Sequence, residues 1–577
     1  MAKILLVAIN ACYNHTNLAI RTISQYINKP ELVEFAEWTI NQPEGEILRG
    51  IVEHNPSLVV FSTYIWNVEI TTKIMGDLKK VLSEVVIGSG GPEIGYCADF
   101  YLKKIPSLDF VIFGEGEKSS KCIVECFEQS AGADSFKKSL ADIKGIYIRG
   151  GVSEKAGEAK VTKTIFTGDR ELICNLDEIP FPYPVIDDPD NRIYYYESSR
   201  GCPFTCAYCM SSIDKKVRFT SLERTFKDIQ RFLDANVRLV KFVDRTFNLG
   251  EDRYISIWQY ILDHHNGKTM FHFEIEAEFL SEKALDFLQK VPKGVMQFEI
   301  GVQSSNKETL KAVGRSPNVE KLAQNISRIP RTIHSHLDLI AGLPFENLES
   351  FGHSFDYVMV LRPDALQLGF LKVLHGTVME QYSEKNGWLW MENPPYETLS
   401  TPYLSYQDIL FLKDIEKLVD AYWNSGSFET VMTFVFGKIS SWEFFSKMVD
   451  FCRKNQVFVQ PRRETFWFEF LAQILKENSI RGIDGKTALE LLRFDFIKGG
   501  KKGGFPLWYE HRYDKEEHRR ALEKHASLDN ARIGFAHSDY EEFSVNPFDA
   551  GQKGKFKVLF SYPRRDAENQ EYKQILL

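Results

Sequence analysis

Along the first 130 residues, apolar positions fall in short runs separated by stretches of helical period. The runs at 4–9, 32–36, 58–62, 85–88 and 110–113 are strand-length, and segments such as 67–82 and 117–128 repeat with the 3.6-residue spacing of an amphipathic helix. Strand and helix alternating about five times predict a doubly wound parallel sheet. The same rhythm resumes after Arg192, with strand runs at 193–197, 239–244, 271–277, 295–301, 336–341 and 365–370 and helical patterns such as 222–235 and 254–264. Six such repeats predict a partial (β/α)6 barrel. After about Gly376 the rhythm stops; 409–424 and 466–476 read as amphipathic helices, and the run 556–561 alternates like an edge strand. The expected class is therefore α/β, with an N-terminal doubly wound domain (1–135), a linker (136–190), a barrel (191–378) and a mostly helical C-terminal extension (379–577). The linker assignment rests on Gly150-Gly151, a Lys/Glu-rich patch and Pro180, Pro182 and Pro184, whose fixed φ favours an extended path.

Composition narrows the class. At 577 residues the chain exceeds one ordinary core, and 44% hydrophobic with 26% charged residues is the balance of a globular protein. A net charge of −8 gives no general attraction to nucleic acid. Nine cysteines, an odd and mostly unpatterned set, argue against a secreted disulfide framework, and no run approaches 18 apolar residues. The N-terminal apolar run is too short for a signal segment and reads as a strand. A cytoplasmic protein with no membrane span is expected.

Three of the cysteines stand together in Arg200-Gly201-Cys202-Pro203-Phe204-Thr205-Cys206-Ala207-Tyr208-Cys209, on a loop that leaves the strand run at 193. Three thiolates on one loop can hold three corners of an iron–sulfur cubane and leave the fourth iron open. A zinc knuckle would need a fourth Cys or His at a companion spacing, and none follows nearby. The C-x3-C-x2-C spacing, with an aromatic before the last cysteine, resembles the signature of the radical S-adenosylmethionine (SAM) enzymes. The resemblance implies a [4Fe-4S] cluster on Cys202, Cys206 and Cys209, SAM on the open iron and Tyr208 beside the adenine. It further implies cofactor contacts at strand ends: Asp244 toward the SAM amino group, Glu276 lining the barrel, Gln303 and Ser304 near ribose and carboxylate, Ile340 and Gly342 behind the adenine, and Arg218 and Ser221 after the cluster loop. Glu274 and Glu276 alternate and so share a face.

The carboxyl ends of the first strands carry Asn10, Tyr13 and His15, then Ser62, Thr63 and Tyr64, then Gly88, Gly90, Gly91 and Pro92, then Gly114 and Glu115. This order is similar to the cobalamin-binding domains that precede radical SAM barrels, and the resemblance implies cobalamin, with small residues and glycines making room for its nucleotide tail. The usual D-x-H-x-x-G is altered: Tyr13 stands for the Asp and Leu18 for the Gly, so His15 lacks its orienting carboxylate and cobalt without a histidine is expected. The segment from Tyr396 through Tyr403-Leu404-Ser405-Tyr406 to Ser425 resembles an uncharacterised extension of one group of cobalamin-binding radical SAM proteins. Lys498-Gly499-Gly500-Lys501-Lys502-Gly503-Gly504 reads as a flexible basic loop.

Together these features point to a cobalamin-dependent radical SAM enzyme, with methyl transfer to an unactivated carbon of a small-molecule or peptide substrate as the leading reaction. An electron donor such as flavodoxin or ferredoxin is implied, and nucleic acid is not an expected partner. Rearrangement or cyclisation without methyl transfer is the first alternative. A catalytically idle cobalamin-binding or redox-sensing protein is the second, disfavoured by the intact cysteine motif. A methylthiotransferase would need further N-terminal cysteines at cluster spacing, which Cys12, Cys97, Cys122, Cys126 and Cys174 do not provide. No catalytic residue and no particular substrate are legible.

Overall fold

The computed structural model describes residues 4–153, 161–477, 479–500, 505–525, 537–562 and 573–577. Residues 154–160 of the Lys/Glu-rich patch and 501–504 of the basic loop lie outside them. The chain divides into two compact units: Met1–Glu346 with Gly369–Ser405, and Asn347–Leu368 with Tyr406–Leu577.

The first unit begins with a seven-stranded sheet. Its strands are β1 (Ile4–Asn10), β2 (Val33–Thr39), β3 (Leu58–Ser62), β4 (Val86–Gly90), β5 (Phe110–Ile112), β6 (Ile146–Ser153) and β7 (Val161–Phe166), in the order β2-β1-β3-β4-β5-β6-β7. β1 to β5 pair in parallel and every residue of β1 is buried. Helices Glu44–Glu53 and Val68–Val81 cover one face through Ile47, Ile51, Ile74 and Leu78; Leu18–Ile27 and Gly116–Gln129 cover the other through Ile20, Ile27, Ile123 and Val124. Both faces being buried explains the continuous apolar runs of the central strands. The order reverses between β1 and β3, and a crevice at the carboxyl ends of such a pair is where doubly wound sheets take ligands.

The expected linker is corrected. Its first half supplies β6, which adds antiparallel to β5 and buries Ile146 and Ile148 in the core, and β7, which adds antiparallel to β6. Only the proline stretch runs as a crossover, and it too is anchored: buried Tyr183 donates its hydroxyl to the carbonyl of Tyr195 at 2.8 Å and accepts the Tyr195 N–H at 3.0 Å.

β8 (Ile193–Tyr196) opens the second sheet. A small hairpin, β9 (Ser199–Arg200) with β10 (Arg218–Phe219), follows, then β11 (Leu239–Phe242), β12 (Met270–Ile275), β13 (Met296–Gln303), β14 (His334–Ala341) and β15 (Ala365–Phe370). The sheet order is β15-β14-β13-β12-β11-β8, and the pairs from β8 to β14 are parallel. This is the expected six-strand alternation with sequential order. In β13 fully and partly buried residues alternate, so Glu299, Gly301 and Gln303 line one face and Phe298, Ile300 and Val302 the other.

The domain limits differ from the expected ones. Residues 379–405, with the short pair β16 (Leu389–Trp390) and β17 (Thr398–Ser400), stay in the first unit, whereas helix Leu348–Val360 belongs to the second. In the second unit, Asp356 on that helix caps helix Ser441–Lys454, accepting the Ser441 hydroxyl at 2.6 Å and the Trp442 N–H at 2.7 Å. The rest of the unit is largely helical but ends in a three-stranded antiparallel sheet, β18 (Ser538–Asn546), β19 (Asp549–Ser561) and β20 (Lys573–Leu576). The run 556–561, read as an edge strand, lies on the middle strand, β19. No helix among the described residues is long and apolar enough to cross a membrane.

Candidate functional site

The cysteine loop hangs from the β9–β10 hairpin. Gly201 holds its mouth with φ +88°, and a Cβ there would sit 2.5 Å from the Lys216 carbonyl oxygen, so only glycine fits. The Cys202 N–H donates to the Asp214 carbonyl at 3.0 Å and the Ala207 N–H to that of Val313 at 2.9 Å. Cys202 and Cys206 are buried, Cys209 is half-buried, and all three are free thiols. Thr246 Oγ1 lies 3.7 Å from Cys202 Sγ, and Arg315 Nη1 donates to Cys206 Sγ at 3.9 Å. Burial raises the Cys206 thiol pKa and the Arg315 guanidinium pulls against it. Among the described residues no three Cys, His, Asp or Glu side chains converge on a single-ion position. A donor set of three thiols spread over one loop fits a cluster with several irons better than a lone zinc.

Arg315 was not foreseen. It also donates to Glu276 at 2.6 Å and to the Gly301 carbonyl at 2.7 Å, and it lies against Tyr208. Burial raises the Glu276 pKa, with Arg315 opposing. A pocket beside the loop is lined by Phe204, Cys206, Glu276, Phe279, Val302 and Arg315. Gln303 ends β13 with φ +69°, and its Oε1 is buried without a hydrogen-bond partner, an acceptor of the kind a ligand donor satisfies. Ser304 is buried and donates to Glu346 at 2.5 Å. Tyr208 and Ile340 pack with Leu343 and Trp388, and the Gly342 carbonyl (φ +95°) accepts the Trp388 indole N–H at 3.3 Å.

Three expected SAM contacts are engaged elsewhere. Asp244 is 1% exposed, and one of its oxygens accepts the N–H of Ser198 at 2.7 Å and of Ser199 at 2.8 Å while the other takes the Ser198 hydroxyl. It clamps the entry to the cluster loop, and burial pushes its pKa to about 7 against those bonds. Arg218 donates to the Ile173 carbonyl at 2.9 Å, to Glu115 at 2.6 Å and to Asp214 at 2.8 Å. Ser221 caps helix Leu222–Asp234 by accepting the Arg224 N–H at 3.1 Å. Each is a sound polar residue near the motif whose hydrogen bonds go to the protein itself.

Deeper on the same face of the second sheet, Glu299 is paired at 3.0 Å with both Lys241 and His272, which hold it down to about 2. Burial, with Glu299 and Glu274 nearby, pushes Asp338 up to about 8.

At the first sheet's carboxyl ends, Asn10 donates to the His15 carbonyl at 3.0 Å and so shapes its loop. His15 Nδ1 is hydrogen-bonded to the Tyr195 hydroxyl, and Thr16 Oγ1 donates to the Ile193 carbonyl at 2.9 Å, which stitches the loop to β8. Burial lowers the His15 pKa. Tyr13 does not replace the missing carboxylate: it is 65% exposed beneath the Arg192 guanidinium. Buried Thr63 shares a 2.7 Å hydrogen bond with Ser89, the Ser62 carbonyl accepts from Asn67 at 3.0 Å, and Tyr64 stacks on Trp66 at 4.3 Å between ring centres. Two glycines expected to make space for a nucleotide tail are needed by the domain's own packing. A Cβ on Gly88 would lie 2.2 Å from the Phe110 ring, and one on Gly91 (φ +111°) 2.4 Å from the Thr63 carbonyl oxygen. A Cβ on Gly90 would lie 3.3 Å from Ile112, Pro92 starts the short helix Pro92–Gly95, and only Gly114, at φ +72°, faces open space. Glu115 is committed to Arg218.

A family model described as the B12 binding domain matches residues 4–123, the radical SAM superfamily model matches 196–358, and a model for a protein of unknown function, DUF4080, matches 384–571. An uncharacterized methyltransferase of Pyrococcus horikoshii is 24% identical over 55% of this chain and 66% of its own length. The cobalamin-dependent radical SAM methyltransferase TokK of Streptomyces tokunonensis is 25% identical over 54% of this chain and 45% of its own. The chain thus spans about half to two thirds of these relatives. Among solved structures, the cobalamin-dependent SAM radical enzyme OxsB, with aqua-cobalamin and SAM bound, aligns over 93% of this chain and 82% of its own with a TM-score of 0.55 at 15% identity. The methyltransferase TsrM of Kitasatospora setae, with cobalamin and [4Fe-4S] cluster bound, aligns over 69% and 79% with a TM-score of 0.53 at 14% identity. These likenesses are of fold. With both domain models matched in order and the cysteine motif in place, the chain joins a B12-binding domain to a radical SAM domain, the arrangement of a cobalamin-dependent radical SAM family, and carries an additional C-terminal region that matches the DUF4080 model.

Proposed function

We propose that the protein is a cobalamin-dependent methyltransferase that acts on an unactivated carbon of a small-molecule or peptide substrate. The observation that carries this reading is the joining of two loops. The His15 loop is bonded to β8 through Tyr195, and Glu115, after β5, is bonded to Arg218 at the base of the cysteine loop. Cofactors held by the two loops would therefore meet over one chamber. When bound, the cluster and SAM supply a 5′-deoxyadenosyl radical that takes a substrate hydrogen, and methylcobalamin supplies the methyl group that the carbon radical takes.

The chain's own residues hold and orient. Cys202, Cys206 and Cys209 would ligate three irons of the cluster, with Arg315 and Thr246 beside two of the sulfurs. Glu276, Arg315 and Gln303 present a carboxylate, a guanidinium and an unfilled amide acceptor to SAM. Asn10, Ser62, Thr63 and Gly114 are the residues that would border the corrin, and Tyr64 stacked on Trp66 would supply an aromatic wall. The electron comes from a small reduced carrier such as flavodoxin or ferredoxin.

Methyl-deuterated SAM supplied anaerobically, with hydroxocobalamin, reductant and candidate substrates, tests the reaction. The expected products are 5′-deoxyadenosine, S-adenosylhomocysteine and a substrate heavier by one labelled methyl on carbon. Deoxyadenosine with an isomerised or cyclised substrate and no label would refute methyl transfer and favour rearrangement.

A further inference from the structure

Arg200 and Arg218 face each other as a cross-strand pair at the neck of the cysteine loop, in the β9–β10 hairpin. Both guanidiniums reach across to the loop that leaves β5. Arg218 donates to Glu115 at 2.6 Å, and Arg200 Nη1 lies 3.6 Å from the other oxygen of the same carboxylate. Arg200 also donates to Glu117, and to Glu197 at 2.7 Å. Glu115 further accepts the Ile173 N–H at 3.3 Å. The centre of the lattice is nearly dry and its rim is wet: side-chain exposure is 3% for Arg218, 5% for Glu117 and 13% for Arg200, against 21% for Glu115, 29% for Glu197 and 38% for Asp214. Two cations meet four carboxylates (Glu115, Glu117, Glu197 and Asp214), and Glu117 Oε2 and Arg218 Nε are buried without hydrogen bonds. So costly an arrangement is a weak source of stability, and its best-attested use is to fix register. Here it registers the neck of the cysteine loop against the turn at Gly114.

We infer that Arg200 and Arg218, through Glu115 and Glu117, are positioning residues that couple cobalamin binding at the β5 loop to cluster loading at the cysteine loop. The inference rests on the proposed placement of both cofactors. Loading the cluster fixes residues 201–217, hence the two guanidiniums, hence the carboxylates beside Gly114. The β5 loop is then pre-ordered for the corrin, and by linkage the effect is reciprocal.

The test is the dissociation constant of hydroxocobalamin before and after anaerobic cluster loading, in the parent protein and in Arg218→Gln, Arg218→Lys and Glu115→Gln. The parent is expected to bind about five-fold or more tightly once loaded, the lower end of ordinary coupling. In Arg218→Gln and Glu115→Gln the ratio should fall to near one, with iron and cobalamin stoichiometry retained. Arg218→Lys, which keeps the charge, should restore part of it. Glu115→Gln preserves shape and serves as the readout where Arg218→Gln does not hold iron. Variants that keep the parental ratio, or a parent whose ratio is near one while it binds both cofactors, would overturn the coupling and leave the proposed function standing. A parent that takes up no cobalamin would overturn the functional reading first, and the coupling with it.

Discussion

Asp244 separates a loop-clamping role from a SAM-binding one. Its two oxygens take three hydrogen bonds from Ser198 and Ser199, and the residue is only 1% exposed, so an ammonium group would have to displace a clamp bond or enter the core. In Asp244→Asn the amide oxygen can still accept both backbone N–H groups while the Ser198 hydroxyl turns to accept from the new NH2. Asp244→Ala strands two buried N–H donors, at about 1–3 kcal/mol each, so a loss of about 2–6 kcal/mol is expected. The pH dependence is distinctive. A rise from 3.8 to about 7 corresponds to about 4 kcal/mol against the ionised form. Because the folded value is the higher one, the folded state holds the extra proton between these limits. This contribution is full below pH 3.8, falls as pH rises toward 7 and is lost above it. Relative to parent, Asp244→Asn should therefore be about 4 kcal/mol better off at pH 8 than near pH 4. Urea unfolding at the two pH values, before cluster loading, measures this, and equilibrium dialysis measures SAM after loading. Were Asp244 a SAM ligand, removing a charge-assisted bond would cost about 1.5–3 kcal/mol, roughly 10- to 150-fold in SAM affinity, in both variants. Asp244→Asn with such a loss and no pH-dependent change in the urea midpoint would refute the clamp.

Gly91→Ala should destabilise the protein even without cobalamin, because its Cβ meets backbone at φ +111°, and an unchanged melting temperature would contradict that packing. A phenol hydroxyl is a stronger donor than a neutral imidazole N–H, so Tyr195 is expected to donate to His15 Nδ1 and keep the ring proton on Nε2. Co(II) paramagnetic resonance should then lack an axial-nitrogen triplet in the parent and in His15→Ala, and a triplet that His15→Ala removes would refute this. Arg315→Ala removes the cation from Glu276, a carboxylate only 15% exposed, so a loss of up to about 3 kcal/mol, the lower end for breaking a buried pair, is expected, and Glu276→Gln in the same chain should recover much of it in urea unfolding. No recovery would mean that Arg315 is not stabilised through Glu276.

The fold was legible where period and burial agree. The seven buried residues of β1 and the alternation in β13 come straight from which faces are covered. The cysteine loop was legible because its spacing is itself the chemistry. What escaped were residues whose partners are distant in sequence. Arg315 stands 109 residues from Cys206, and nothing local marks it as a sulfur's neighbour. Tyr195, 180 residues away, partners the ring of His15, whose own loop lacks an orienting carboxylate. Asp244, Arg218 and Ser221 stand where the family resemblance implies SAM contacts, but sequence position does not tell a ligand contact from a clamp, an ion pair or a helix cap. Gly88 and Gly91 show the same limit: a glycine marks a close approach, and only the fold says that Phe110 and Thr63 are what approaches.

Everything proposed for this protein depends on the three cysteines building a SAM-cleaving centre. Anaerobically reconstituted protein should hold about four irons, and with SAM and reductant it should release 5′-deoxyadenosine, both lost in Cys206→Ala. A parent protein that binds zinc in place of iron, or that carries its full iron and yields no deoxyadenosine, would contradict it.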